Sequence, residues 1–129
     1  MRSPRVIVID RSALAVNMFR LLVAPLGVKI VAAKRCDEAR VLLQRETYAL
    51  MIINSNTFGK RFNEYHTWWC DDGVVAPLPK IFLCQEGKGE ASWREVLAGV
   101  PQAKVMIRPF DPQEFVNLLQ PILGKERKS

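Results

Sequence analysis

Residues 5–10 read Arg-Val-Ile-Val-Ile-Asp, and residues 49–54 read Ala-Leu-Met-Ile-Ile-Asn. Each is a short, continuously apolar run that ends in a polar side chain. Such runs are typical of strands that are buried on both faces of a parallel sheet. The two segments therefore predict two strands, and they place Asp10 and Asn54 at strand ends.

Three more strands are predicted at residues 28–32, 80–84 and 104–107. Helical segments fall between the strands. The first begins after a capping residue, Ser12, and stops at Gly27. It is predicted from apolar residues at helical spacing: Leu14, Met18, Leu21, Leu22 and Pro25.

Four further helices are predicted. One opens at Cys36, a second covers residues 62–70, a third covers residues 92–98, and the last starts at Asp111 and ends at Gly124. Five strands that alternate with five helices imply a doubly wound α/β fold, in which a parallel sheet has helices on both faces. We expect one domain over residues 1–124, and residues 125–129 as a basic tail or the start of a linker.

Composition narrows the class of protein. The chain has 129 residues, of which 49% are hydrophobic and 25% are charged; this content excludes an intrinsically disordered chain. No apolar run approaches the roughly 20 residues of a membrane span. Three scattered cysteines argue against a disulfide framework, and the single histidine argues against a zinc site. With no signal peptide before the first strand, we expect a cytoplasmic protein.

Net charge is the one unusual feature. Nineteen basic and thirteen acidic residues give +6 at pH 7. This balance permits contact with nucleic acid or with an acidic partner. The basic residues are spread along the chain, however, so we favour a solvated surface, and nucleic-acid binding by this domain alone is not expected.

Ligand chemistry in doubly wound sheets lies beyond the carboxyl ends of the strands. The side chains that the sequence puts there are Asp10, Arg11, Asn54, Cys84 and Arg108. These five residues are the candidate site.

On these residues the chain resembles the receiver domain of two-component response regulators. The first strand ends in Val-Ile-Asp, Arg108-Pro-Phe follows the fifth, and the order of elements and the spacing of Asp10 and Asn54 also match. The resemblance implies a flavodoxin-like five-stranded sheet of order 2-1-3-4-5. It further implies phosphoryl transfer to an aspartate after the third strand, aided by Mg²⁺ on an acidic pair, a hydroxyl residue and a lysine.

Most of those positions differ here. Arg11 stands in place of the second acid, Asn54 in place of the phosphoacceptor, Cys84 in place of the hydroxyl residue, and Arg108 in place of the lysine. Val105 replaces an aromatic residue. An amide cannot form a stable acyl phosphate, and one carboxylate beside two guanidinium groups suits Mg²⁺ poorly. We therefore expect a degenerate receiver, or pseudo-receiver, with weak or absent magnesium binding and no other cofactor or metal.

Alternatives remain for single residues. Asp10 is either a residual metal ligand or the partner of a cation, and we favour an Asp10–Arg108 ion pair that holds the pocket closed. Arg11 and Arg108 could instead form an anion-binding site. Cys84 is interpreted as a small buried hydrophobe rather than a redox thiol.

Two surfaces could bind a partner. Trp68 and Trp69 lie about 100° apart on a helix, so at least one should be partly exposed. The resemblance suggests a second surface, used for dimers or effectors, on the fourth predicted helix, the fifth strand and the fifth predicted helix. Val105 and Phe115 lie on it.

The sequence thus favours a non-enzymatic module that binds a protein of a signalling pathway without being phosphorylated. The alternatives are a working phosphoacceptor with an atypical site and a basic nucleic-acid-binding regulator. No membrane partner is expected.

Overall fold

The computed structural model describes residues 3–57, 65–85, 95 and 97–128, with the backbone alone at residues 57 and 124–128. Its centre is a five-stranded parallel sheet in the order β2-β1-β3-β4-β5. The strands are β1 (Arg5–Ile9), β2 (Lys29–Ala33), β3 (Leu50–Asn54), β4 (Lys80–Gln85) and β5 (Ala103–Arg108). The predicted α/β class and strand order are confirmed, and the strand limits agree within one residue.

The described residues contain four α-helices: α1 (Ala13–Val23), α2 (Cys36–Arg45), α3 (His66–Asp71) and α4 (Pro112–Lys128). Five helices were expected. The predicted helix at 92–98 lies largely outside the described residues, as does the first part of the helix predicted at 62–70.

Side chains of alternating strand residues form a core on each face of the sheet. Ile7 and Ile9 point to one face, where α2 and α3 pack, and Val6 and Val8 point to the other, where α1 and α4 pack. Because both faces are covered, the three central strands β1, β3 and β4 are apolar between their end residues. This leaves the strand ends as the place for polar side chains.

Two local signals act as predicted. The Ser12 hydroxyl accepts a hydrogen bond of 3.1 Å from the Ala15 amide and caps α1. Gly27 has a φ of 69°, a left-handed conformation that glycine adopts without strain, and it ends the short 3₁₀ turn Ala24–Leu26 that follows α1.

The predicted end of the last helix at Gly124 is wrong, since α4 continues to Lys128. A glycine permits a helix to end but does not force it. The Lys-Glu-Arg-Lys sequence that follows consists of good helix formers, and cations there complement the negative end of the helix dipole. In the part of the chain that the structure describes, no helix is long and apolar enough to cross a membrane.

Helix α1 has apolar residues on two faces. Val16, Phe19 and Val23 are buried against the sheet. Leu14 and Leu21, which helped to predict the helix, lie on the outer face instead. Of the α1 residues that indicated the helix, Leu22 packs against the core, and the fully buried positions are ones that the pattern did not single out.

Candidate functional site

The carboxylate of Asp10 lies at the centre of the site. Asp10 follows β1 directly and is buried. Its Oδ1 accepts a hydrogen bond of 2.9 Å from the Ser12 amide, and its Oδ2 accepts one of 3.1 Å from Asn54 Nδ2. The first contact fixes the loop that leads into α1, and the second links the ends of β1 and β3.

Asn54, the last residue of β3, is also buried. Its Nδ2 donates to Asp10, while its Oδ1 accepts a hydrogen bond of 3.0 Å from the Asn56 amide. The two contacts use the amide group in one orientation, with the donor toward Asp10 and the acceptor toward the 3₁₀ turn Ser55–Thr57.

Arg108 ends β5 and supplies the positive charge. Its guanidinium lies 3.7 Å from Asp10 Oδ2, so the ion pair expected from the sequence is present. That separation exceeds the range of a hydrogen bond, and 30% of the Arg108 side chain is exposed against 2% of the Asp10 side chain. The contact therefore offsets the charge of a buried carboxylate through Coulomb attraction alone.

Arg11 does not join this group in the contacts that the structure describes. It is exposed at the start of the loop before α1. The proposed anion site of Arg11 and Arg108 thus remains a prediction, since no described contact brings the two guanidinium groups together.

Cys84 lies under the site on β4 and is fully buried. Burial raises the pKa of its thiol, and the neighbouring Ser55 hydroxyl and the Arg108 guanidinium offset this only in part. Since the thiolate is the reactive form, this environment makes Cys84 a poor nucleophile. It agrees with the interpretation of Cys84 as a small buried hydrophobe.

The donor set fits Mg²⁺ poorly. The ion requires hard oxygen ligands in an octahedral arrangement. Asp10 supplies a carboxylate, but both of its oxygens already accept hydrogen bonds and one faces a guanidinium. Asn54 Oδ1 is held by the Asn56 amide. Among the described residues, no three His, Cys, Asp or Glu side chains gather as a metal-binding group.

The expected exposure of Trp68 or Trp69 is wrong, because both are buried. Trp69 packs edge-on against Phe82 of the sheet, with ring centroids 5.0 Å apart. Trp68 is covered from α2 by the guanidinium of Arg40, which lies 5.2 Å from its ring centroid. In this structure neither ring offers a surface to a partner.

On the second predicted partner surface, the aromatic residue Phe115 is not accessible either. Phe115 is fully buried, stacked against Phe110 and packed against Phe19 of α1. Val105 is partly buried against the core. Since much of the predicted fourth helix lies outside the described residues, dimerisation through this face stays a prediction.

Lys80 is a residue whose setting the sequence did not reveal. It is fully buried at the start of β4, at the opposite end of the sheet from Asp10. Its ammonium donates to three backbone carbonyls, at 3.1 Å to Ala76, 2.8 Å to Leu78 and 2.9 Å to Pro101. Burial lowers the pKa of Lys80 from 10.5 to about 8. In the sequence, the only indication of this buried lysine is that it follows a proline and begins an otherwise apolar strand.

The fold is shared with known structures. A putative response regulator from Chloroflexus aurantiacus aligns with a TM-score of 0.78 at 20% identity, over 95% of this chain and 99% of that one. The response regulator receiver domain protein of Methanospirillum hungatei aligns with a TM-score of 0.76 at 14% identity. The alignment covers 99% of this chain and 100% of that one. The chemotaxis response regulator CheY4 of Vibrio cholerae aligns with a TM-score of 0.76 at 17% identity, over 94% of this chain and 99% of that one. The chain has the receiver fold.

At these identities the likeness shows the fold alone. No known family model matches the sequence, and no curated protein does. Within the receiver fold, Asp10, Asn54, Cys84 and Arg108 all lie at or beside the carboxyl ends of the strands, which is where such sheets hold their chemistry.

Proposed function

We propose that this chain is a pseudo-receiver of two-component signalling, one that binds a protein partner without being phosphorylated. The observation that carries the proposal is the side chain of Asn54. It takes the place that the resemblance assigns to the phosphoacceptor aspartate, and its amide is held between Asp10 and the Asn56 backbone.

The chemistry of an amide supports this proposal. Transfer of a phosphoryl group to a receiver needs a carboxylate oxygen as the nucleophile, and the product is an acyl phosphate. A carboxamide oxygen carries no full negative charge, so it attacks phosphorus poorly. Here the oxygen also accepts a hydrogen bond, which lowers its availability further.

The balance of charge in the pocket also supports a pseudo-receiver. Asp10 is buried and needs a positive neighbour, and Arg108 supplies one from within the chain. A receiver with an acidic pair and an acceptor would need a metal ion to balance its charge. In this chain Arg108 offsets the charge of the carboxylate, which supports a pocket that acts in a single unmodified form.

A module of this kind acts by contact and not by catalysis. We therefore propose a protein partner in a cytoplasmic signalling pathway, and no enzymatic activity. Net charge alone supports a nucleic-acid partner, and the described basic side chains do not add a dedicated surface to that argument.

Intact-mass spectrometry tests the proposal. The protein is incubated with acetyl phosphate and Mg²⁺, and its mass is compared with a sample that received no phosphodonor. We expect no phosphoryl adduct. Peptide mapping of the untreated sample also shows whether Asn54 has deamidated to aspartate, which would create an acceptor artificially.

A stoichiometric adduct on undeamidated protein would overturn the proposal. Peptide mapping would then identify the acceptor, and an Asp10→Asn variant would test the one carboxylate of the site. Loss of the adduct in that variant would establish an atypical phosphoacceptor in place of a pseudo-receiver.

A further inference from the structure

Helix α3 places a histidine and a cysteine side by side. His66 and Cys70 are four residues apart, so they lie one turn apart on the same face of the helix. The Sγ atom of Cys70 is 3.7 Å from His66 Nδ1 and 3.8 Å from His66 Nε2. Because the two distances are nearly equal, the thiol fixes neither nitrogen. Rotation of the imidazole about its Cβ–Cγ bond can therefore direct one nitrogen to a ligand that the sulfur shares.

A backbone carbonyl completes this group. Gly99 lies in the turn that precedes β5, and its oxygen accepts a hydrogen bond of 3.5 Å from the Cys70 thiol. The same glycine lies against the histidine, since a Cβ added to it would be 3.9 Å from His66 Nε2. Three donor atoms, a sulfur, a nitrogen and an oxygen, thus come together from two segments of the chain. We call these three residues the Cys70 site.

The spacing of the three donors fits a tetrahedral zinc ion. Zinc bonds are about 2.3 Å long to sulfur and about 2.0–2.2 Å long to nitrogen or oxygen. Two such ligands at a tetrahedral angle are therefore about 3.6 Å apart. In the Cys70 site, the sulfur is 3.7 Å from His66 Nδ1 and 3.5 Å from the Gly99 oxygen. An ion between these donors would replace the weak contacts of the thiol with little change in their separations.

The Cys70 site is accessible from solution. His66 and Cys70 are partly exposed, and Gly99 is exposed. The other two cysteines, Cys36 and Cys84, are buried. An ion can therefore reach the Cys70 sulfur without any opening of the core, and water can occupy the remaining side of the ion. Three protein ligands and one water molecule are the arrangement of zinc sites that keep an open position.

The types of donor select the ion. Thiolate and imidazole suit zinc, whereas Mg²⁺ and Ca²⁺ require oxygen ligands. Copper in its cuprous form prefers soft sulfur ligands, and the carbonyl of Gly99 is a hard one. Cupric copper favours donors in one plane, which three atoms spaced as the corners of a tetrahedron do not provide. Zinc accepts sulfur, nitrogen and oxygen and has no geometric preference of its own.

We propose that His66, Cys70 and the carbonyl of Gly99 bind one Zn²⁺ ion, with water as the fourth ligand. The thiol releases its proton to solvent when the ion binds. The bound ion joins α3 to the turn before β5 and stabilises that contact. The sequence does not predict this site, because the carbonyl comes from 29 residues away and a single histidine carries no zinc motif. The inference is independent of the proposed function, since it uses none of the residues around Asp10.

Titration with Co²⁺, a spectroscopic substitute for Zn²⁺, tests the proposal. The protein carries no histidine tag, is reduced with a phosphine, and is freed of metal with a chelator before the titration. We expect the visible bands of tetrahedral cobalt together with a near-ultraviolet band of charge transfer from thiolate to cobalt. Both should saturate at one ion per chain. An excess of Zn²⁺ should then abolish them, because it competes for the same ligands.

Matched variants identify the ligands. Cys70→Ser should remove the charge-transfer band, since it removes the sulfur. His66→Ala should weaken Co²⁺ binding by at least about tenfold, because even a change outside the ligands costs a metal site that much. Cys36→Ala removes a buried cysteine from α2 and should leave both the band and the affinity unchanged. Circular dichroism verifies that each variant is folded.

Protection of the Cys70 thiol gives a second readout, in which zinc itself is the probe. Zn²⁺ should slow the reaction of Cys70 with a maleimide, because a sulfur bound to the ion is less available to the reagent. The His66→Ala variant should lose this protection at the same concentration of Zn²⁺. Mg²⁺ should give no protection to either protein, since it does not bind thiolates. Peptide mass spectrometry measures the labelling of Cys70 separately from that of the other cysteines.

Four results would overturn the inference. The wild type could show no charge-transfer band, or the Cys70→Ser variant could keep the band, which would assign the sulfur to another cysteine. The His66→Ala variant could bind cobalt as tightly as the wild type. Saturation at one ion per two chains would assign the ion to a pair of copies instead of the Cys70 site. None of these results bears on phosphorylation, so the proposed function is judged by its own mass measurement.

Discussion

Asn54 Nδ2 and Asp10 Oδ2 lie 3.1 Å apart, and the hydrogen bond between them joins the ends of two neighbouring strands. Both side chains are buried. The contact pairs an amide donor with a carboxylate acceptor, so it is favourable without any ion between them. A second carboxylate at position 54 would reverse the sign of this interaction.

The Asn54→Asp variant tests that reversal. It replaces the hydrogen bond by two buried carboxylates in contact, and Arg108 alone faces them. We expect the free energy of unfolding at pH 7 to fall by about 1–3 kcal/mol. Urea unfolding measures the loss, which should be smaller at pH 4.5, where one carboxyl takes up a proton.

Asn54→Ser is the control for this variant, since it also breaks the contact but adds no charge. Its stability loss should depend little on pH. If Asn54→Asp and Asn54→Ser showed the same pH dependence, the charge at position 54 would have no part in the effect.

Lys80 predicts a second pH dependence. Burial lowers the pKa of Lys80 to about 8 in the folded chain, while the unfolded chain titrates near 10.5. Between these values the unfolded chain binds a proton that the folded chain has released. The free energy of unfolding should therefore gain a contribution that rises with pH across that window, by at most about 1.4 kcal/mol per pH unit.

The Lys80→Met variant isolates this contribution, because the Tyr48 hydroxyl and the Cys84 thiol, whose pKa values are raised by burial, also lose protons at alkaline pH. Subtracting the stability curve of Lys80→Met from that of the wild type should leave a curve that rises from about pH 8 to 10.5. A flat difference would mean that the three carbonyls hold the ammonium charged, despite its burial.

The three cysteines should differ in reactivity. Cys36 and Cys84 are buried, whereas Cys70 is partly exposed. Burial also raises the pKa of Cys84. A short pulse of a maleimide at pH 7 should therefore label Cys70 first, and the other two only after urea is added. Peptide mass spectrometry gives the order, and labelling of Cys84 as fast as Cys70 would contradict its placement beneath the site.

Arg40 should control the access of solvent to Trp68. Its guanidinium lies 5.2 Å from the Trp68 ring and 6.0 Å from the Tyr65 ring. Arg40→Ala should increase the quenching of tryptophan fluorescence by acrylamide and should lower stability by about 0.5–1 kcal/mol. Arg35→Ala removes an exposed arginine from the start of the same helix and should change neither quantity appreciably.

The strands and the site positions could be predicted because their causes are local. Apolar runs such as residues 6–9 and 50–53 can be satisfied only by burial on both faces, and parallel strands bring their carboxyl ends to one edge. Ser12 and Gly27 mark the ends of their segment through their own backbone and side-chain chemistry. The juxtaposition of Asp10 with Asn54 and Arg108 followed from that topology.

The features that escaped prediction depend on contacts distant in sequence. Trp68 packs into the core, and Arg40 of another helix lies over its ring. Lys80 can be buried because three carbonyls, one of them 21 residues away, accept hydrogen bonds from its ammonium. The choice between the two apolar faces of α1 depends on which one meets the sheet. None of these contacts leaves a periodic signal in the sequence.

The closed set of hydrogen bonds around Asn54 has a consequence for how a cell could control this protein. Both carboxylate oxygens of Asp10 and both polar atoms of the Asn54 amide already have hydrogen-bond partners within the chain. In the function proposed above, the pocket takes neither a phosphoryl group nor a metal ion. A pseudo-receiver of that kind would deliver its effect from the moment it folds. Its output should follow the number of copies present, and synthesis and degradation should be the means of adjusting it.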